Sequence, residues 1–181
     1  EGAEYTGVRS TDVPTQEESG HASKYSLKML NSGDNGGTVE SWDYARLVYS
    51  MTGSDYAFIH GEQDVILQFW VRSSMTGTYT VGLQNGAQES RAIPIEYTIT
   101  AADTWEKKSI AITTDSASET YDLDEEYAGI RIVFSLLSGG DFHGTNNTWG
   151  GDSYYYSTDQ QVNHGATQGG TFYLSQVGLY K

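Results

Sequence analysis

Tyr154, Tyr155 and Tyr156 stand in a row, with Trp149, His143 and Phe142 shortly before them. Tyrosine and tryptophan present a flat apolar face with a polar edge, a combination suited to stacking on a sugar ring. Asn146, Asn147, Asp152 and Asp159 are interleaved with these aromatics and supply hydrogen-bond partners for hydroxyl groups. Successive side chains on a strand alternate between faces, so three adjacent tyrosines cannot all point inward. At least one is therefore expected at the surface. A bland alternative has Trp149 and one tyrosine plugging the end of the fold. The expected ligand-binding set is Trp149, Tyr154, Tyr155, Tyr156, His143, Asn146 and Asp152, with Trp42 and Tyr44 as a smaller second group.

Catalytic signatures are missing from the sequence. No phosphate-binding loop, zinc-protease helix motif, nucleophile elbow or dinucleotide fingerprint occurs. His21, His60, His143 and His164 lie apart, without the close spacing that holds a metal on one strand or helix. A glycosidase on a β-sandwich needs two converging carboxylates. Glu96 faces away from its strand's apolar stripe, but its partner would have to be Glu106 or Glu62, and no patterned strand links them. Residues 115–126 carry Asp115, Glu119, Asp122, Asp124, Glu125 and Glu126 without a Lys or Arg, yet lack the ligand spacing of a calcium loop. They read as a solvated acidic loop. No catalytic residue, metal or cofactor is expected.

Alternation of apolar and polar residues defines the elements that position these groups. Val65, Leu67, Phe69 and Val71 share one face of a strand, as do Tyr79, Val81 and Leu83 of the next, and a link of hairpin size containing Gly77 joins them. Further stripes are Ile93/Ile95/Tyr97/Ile99, Ile110/Ile112 and Ile130/Ile132/Phe134/Leu136. Pro94 marks its strand as an edge or a bulge. Phe172/Leu174 and Val177/Leu179 lie on opposite faces, so a bulge is expected near Ser175 and Gln176. Tyr25/Leu27/Met29 and Leu47/Tyr49/Met51 supply two earlier strands. Eight strands and no long helical pattern predict an all-β chain, an antiparallel β-sandwich of jelly-roll topology spanning residues 1–181 as one domain. The expected core includes Leu67, Phe69, Val81, Ile95, Ile110, Ile132, Phe134 and Phe172. Residues 139–170, rich in Gly and Asn, break the rhythm and read as a binding surface or as irregular strands.

Composition narrows the partners. Ten Lys and Arg against 24 Asp and Glu leave a net charge of −14, which argues against nucleic acid, whose phosphates require clustered basic side chains. The same balance argues against an anionic membrane surface, and no apolar run is long enough to span a bilayer. The chain has no cysteine, hence no disulfide framework.

The stretches EYTITAADTWEKK at 96–108, FWVRSSMTGTYTVGLQN at 69–85 and GIRIVFSLLSGGDFHGTNNTW at 129–149, together with the ending NHGATQGGTFYLSQVGLYK, resemble a module of tail-fibre and related virion proteins of marine bacteriophages. The similarity covers roughly residues 40–181, and SKYSLKML at 23–30 is similar to an early strand of carbohydrate-binding modules. The resemblance implies a non-catalytic, carbohydrate-binding jelly roll in a virion or extracellular setting, with carbohydrate as partner. The alternative it leaves open is an assembly domain packing against sister subunits. Modules of this kind often carry a calcium-ligating Asp in the last strand; Tyr173, Leu174, Ser175 and Gln176 stand there instead.

Overall fold

The computed structural model of the chain describes residues 3–33, 37–60, 64–86, 91–115, 121, 123–124, 127–150 and 154–181. Among them are nine strands: β1 (Tyr5–Ser10), β2 (Ser26–Asn31), β3 (Tyr44–Thr52), β4 (Asp64–Ser73), β5 (Gly77–Asn85), β6 (Ala92–Ile99), β7 (Glu106–Thr113), β8 (Ala128–Ser138) and β9 (Thr171–Tyr180). Two single-turn helices, α1 (Gln16–Ser19) and α2 (Gly53–Ala57), complete the regular elements. One sheet has the order β1-β2-β9-β4-β7 and the other β3-β8-β5-β6, with every pairing antiparallel. The chain is a β-sandwich with jelly-roll-like strand order.

The apolar stripes meet between the sheets. Phe69 of β4 makes edge contacts with Tyr97 of β6, 5.1 Å between ring centroids, and with Phe134 of β8, 5.0 Å. Leu67, Val81, Ile95, Ile132 and Phe172 are buried with them, while Ile110 packs half-buried at the margin. Pro94 lies on β6, an edge strand of the second sheet, where its missing N–H removes nothing from the ladder. The bulge in β9 is present: pairing with β4 shifts register between Gln68 and Trp70, and Gln176 adopts φ 50°.

Three features depart from the sequence reading. β1 carries no alternation, because it is an edge strand whose residues 6–9 are all exposed. The link between β4 and β5 does not close a hairpin; β4 belongs to one sheet and β5 to the other. The crossing is held by Ser74, whose N–H donates to the Thr171 carbonyl and whose Oγ accepts from the Thr171 N–H, and by Ser73 Oγ and Tyr79 Oη at 2.8 Å. Asp115 is not solvated but buried, paired with Arg91 and accepting from the Tyr121 hydroxyl. Glu119, Asp122, Glu125 and Glu126 lie outside the described residues.

Candidate functional site

The outer face of the second sheet reads as polar along β5 and β8, yet Thr80, Gln84 and Ser135 are buried there. Residues 139–150 and 154–170 lie across it. Backbone groups of this segment replace solvent at the sheet. Asn147 N–H donates to the Pro94 carbonyl at 2.7 Å and Gly150 N–H to the Ala92 carbonyl at 2.8 Å, along the free edge of β6. Beyond the stretch where β5 pairs with β8, Val162 N–H donates to Thr78 O at 2.8 Å and Thr80 N–H to Gln161 Oε1 at 2.7 Å. The far end is anchored on β1 and β2. Asn31 Nδ2 donates to the Thr167 and Gly165 carbonyls, and Tyr5 Oη lies 3.1 Å from His164 Nδ1.

Glycines let the segment lie this close. A Cβ at Gly144 would come within 2.8 Å of the Tyr155 Cβ and 3.2 Å of Pro94. The 142–144 and 155–157 limbs run side by side, with a parallel bridge between His143 and Ser157 and the Gly144 N–H donating to Ser157 O at 2.8 Å. Ser138 Oγ donates to Ser157 Oγ at 2.7 Å, and His143 Nε2 sits 3.2 Å from the Ser138 carbonyl, placed to donate to it. A polar net at the sheet end thus fixes the imidazole.

Between these limbs and β6 opens a cleft of about 680 Å³. Glu96 enters it from β6, His143 and Asn146 from the first limb, and Tyr155, Thr158 and Asp159 from the returning one. Asn146 Oδ1 accepts from the Glu96 N–H at 3.1 Å, which pins the first limb to the strand. Tyr155 is 37% exposed, its ring resting against Gly150. Thr158 is 2% exposed and its hydroxyl has no hydrogen-bond partner among the described residues. One aromatic wall, convergent amide, hydroxyl and carboxylate groups, and a rigid sheet beneath make a site for a hydroxyl-rich ring.

The expected site residues divide. His143, Asn146 and Tyr155 meet in the cleft. Tyr156 is fully buried, stacked 5.5 Å from Phe142 with the Arg46 guanidinium 4.8 Å over its ring, so it cannot stack on a ligand. Trp149 packs half-buried against the core, its indole N–H donating to the Thr113 carbonyl at 2.8 Å; it is a plug. Tyr154 is 51% exposed but turns away from the cleft toward Phe142, which also meets Tyr44 at 5.0 Å. Tyr44, Phe142 and Tyr154 form a separate aromatic patch at the start of β3, and Trp42, two residues before Tyr44, is exposed as well. Asp152 lies outside the described residues. Thr145, Thr148 and Thr158 line the cleft without having been singled out; single threonines in a Thr-rich chain carry no signal of their own.

The carboxylate pairing considered for catalysis does not form through Glu106. That side chain accepts from the Thr100 and Ala101 N–H groups and pairs with Lys108. Burial opposes its ionisation, but the Lys108 ammonium and these N–H donors prevail and lower its pKa to about 2. Glu62 lies outside the described residues.

Compared with known protein families and with curated proteins, the sequence matches none. Solved structures align with the chain, the first of them closely enough to show a shared fold. The enzymatically active domain of bacteriophage CBA120 tailspike protein 4 aligns over 99% of this chain with a TM-score of 0.53 and 15% identity, the chain spanning 18% of that protein. A family 11 carbohydrate-binding module from Clostridium thermocellum, solved with a mixed-linked tetrasaccharide, aligns over 99% of this chain and 84% of its own at TM-score 0.46 and 14% identity. A CBM4 structure aligns over 97% of this chain and 92% of its own at TM-score 0.44 and 14% identity.

Proposed function

We propose that this chain is a non-catalytic glycan-binding module and that the cleft between β6 and residues 142–159 is its site. One observation carries the reading: the half-exposed ring of Tyr155 walls a preformed cleft into which Glu96, Asn146 and Asp159 also converge. Tyr155 supplies the stacking face, and Glu96, Asn146 and Asp159 supply hydrogen bonds to ring substituents. The site needs no cofactor. The setting proposed is a virion appendage or another extracellular protein, with residues 1–181 acting as one module. The resemblance of residues 40–181 to virion modules supports this, and the tailspike fold is in keeping with it. A glycan array probed with the purified protein and with Tyr155→Ala tests the function. Saccharides retained by the protein and lost by the variant are expected; equal retention by both would remove the cleft from consideration.

A second reading has its own observation. Tyr44 and Tyr154 are exposed and meet Phe142 away from the cleft, and Trp42 is exposed two residues before Tyr44, which favours packing against sister subunits at that patch.

A further inference from the structure

We propose that the cleft selects a sugar bearing a free ammonium group, an unacetylated amino sugar, over neutral and acidic sugars. This rests on the cleft being the glycan site. Two carboxylates line it from opposite sides, Glu96 from β6 and Asp159 from the returning limb, and no lysine or arginine lines it among the described residues. Residues 139–170 contain no basic side chain except histidine, and the chain carries a net charge of −14. The remaining lining groups are largely committed as donors or occupied as acceptors: His143 Nε2 is placed to donate to the Ser138 carbonyl, and Asn146 Oδ1 already accepts from the Glu96 N–H. Asp159 takes the Gln160 amide at 3.2 Å, while the Glu96 carboxylate has no partner among the described residues.

The two carboxylates make the field in the cleft negative and place acceptors on both of its sides. A ring hydroxyl donates and accepts alike and gains nothing special from it. An ammonium only donates and carries the opposite charge, so its hydrogen bond to Glu96 is charge-assisted, about twice as strong as a neutral one. A uronate or sialate would bring a third carboxylate into the space, where the low-dielectric sheet beneath magnifies repulsion. Acetylation of the amine removes the charge and adds bulk at the same atom.

Calorimetric titration with β-linked tetrasaccharides of glucosamine, N-acetylglucosamine, glucose and galacturonic acid tests this at about pH 6, below the amine pKa. The glucosamine oligomer is expected to bind about tenfold or more tightly than its acetylated and neutral counterparts, with the acidic oligomer weakest. Glu96→Gln is expected to abolish most of that preference. Glu17→Gln removes the same charge from exposed α1, which packs beside β9 of the opposite sheet through Ser19 and Gln176; it is expected to leave the preference intact. Equal binding of glucosamine and glucose oligomers would overturn the selectivity and leave the glycan site standing. A preference that falls equally in both variants would also overturn it, by tracing it to overall charge. Failure of all four oligomers to bind would remove both the selectivity and the site beneath it.

Discussion

Tyr156 occupies the space above Gly82. The glycine sits on the outer face of β5, opposite Pro94 of β6, and a Cβ there would come within 2.9 Å of both the Tyr156 Cβ and its carbonyl oxygen. Backbone meets backbone at this point, so no side-chain rotation relieves the clash. Residues 139–170 are thereby seated on the sheet, and the limb carrying Tyr155 is held at a fixed height over β6.

Gly82→Ala is accordingly expected to destabilise the protein by about 1–3 kcal/mol, the range for overpacking a filled site, as read from chemical denaturation. Gly140→Ala serves as control, since a Cβ at that position meets nothing within 4 Å; its effect should stay within about 0.5 kcal/mol. Equal, small effects at both positions would mean that the segment lifts easily from the sheet.

Adjacent tyrosines should separate function from stability. Tyr156→Ala empties a fully buried aromatic site and is expected to cost about 3–5 kcal/mol, as for other large buried aromatics. Tyr155→Ala removes a ring that is 37% exposed in the cleft. It should leave the melting temperature nearly unchanged while weakening saccharide binding by roughly one to two decades, the scale of a stacked aromatic at about 1–3 kcal/mol. Melting curves and titrations of the two variants, run together, check both halves.

This division was only half legible in the sequence. All eight predicted strands exist, and most bury a period-2 stripe against the opposite sheet; the stripes at β2 and β3 do so only in part, with Tyr25, Leu27 and Tyr49 exposed. Thr80, Gln84 and Ser135 are polar positions between apolar ones, yet they are buried. At Thr80 a segment from elsewhere in the chain supplies the partner, Gln161, and such a partnership leaves no local pattern. The same cause hid the roles of Tyr156 and Trp149: whether an aromatic is platform or plug depends on Gly82 and Thr113, far away in sequence. The alternation at Glu96 did report its outward direction correctly, and Glu96 is the residue the strand delivers to the cleft.

Stability should fall in two separate acid windows. His164 is fully buried, and burial lowers its pKa below the ordinary 6.5, a hydrogen bond to the Thr171 backbone offsetting part of the shift. Tyr5 and Tyr79 are the ionisable rings against it. A depressed histidine pKa means that the unfolded chain binds the proton more readily, so its contribution is fully present above pH 6.5 and is lost as pH falls below it. His60, also lowered by burial, acts in the same direction. Glu106, lowered to about 2, adds stability above its unfolded value of 4.5 that is lost between there and pH 2. Melting temperatures across pH should therefore show a first decline below about 6.5 and a second below about 4.5. His164→Gln should flatten the first and Glu106→Gln the second. A profile flat from pH 7 to 5 would show that His164 gains its proton without penalty.

The patch of Trp42, Tyr44, Phe142 and Tyr154 gives the last expectation. Trp42 is 66% exposed, and Tyr44 and Tyr154 are also exposed; Tyr44 and Tyr154 converge on Phe142 in edge contacts. The Arg46 guanidinium lies 5.2 Å over Tyr44 and adds a donor at the margin. Exposed large aromatics with an arginine packed beneath them are the composition of an interface centre rather than of an inert surface. Were the patch to join sister subunits, Trp42→Ala and Tyr154→Ala would shift the protein toward monomer in sedimentation velocity and leave cleft titrations unchanged, because neither ring lines the cleft. Were it instead an extension of the glycan site, the same variants would weaken binding of long oligosaccharides while short ones bound as before. The two outcomes differ because oligomer dissociation depends on protein concentration and ligand length does not enter it. A protein that sediments as monomer at all concentrations, with binding indifferent to both variants, would assign the patch to neither role.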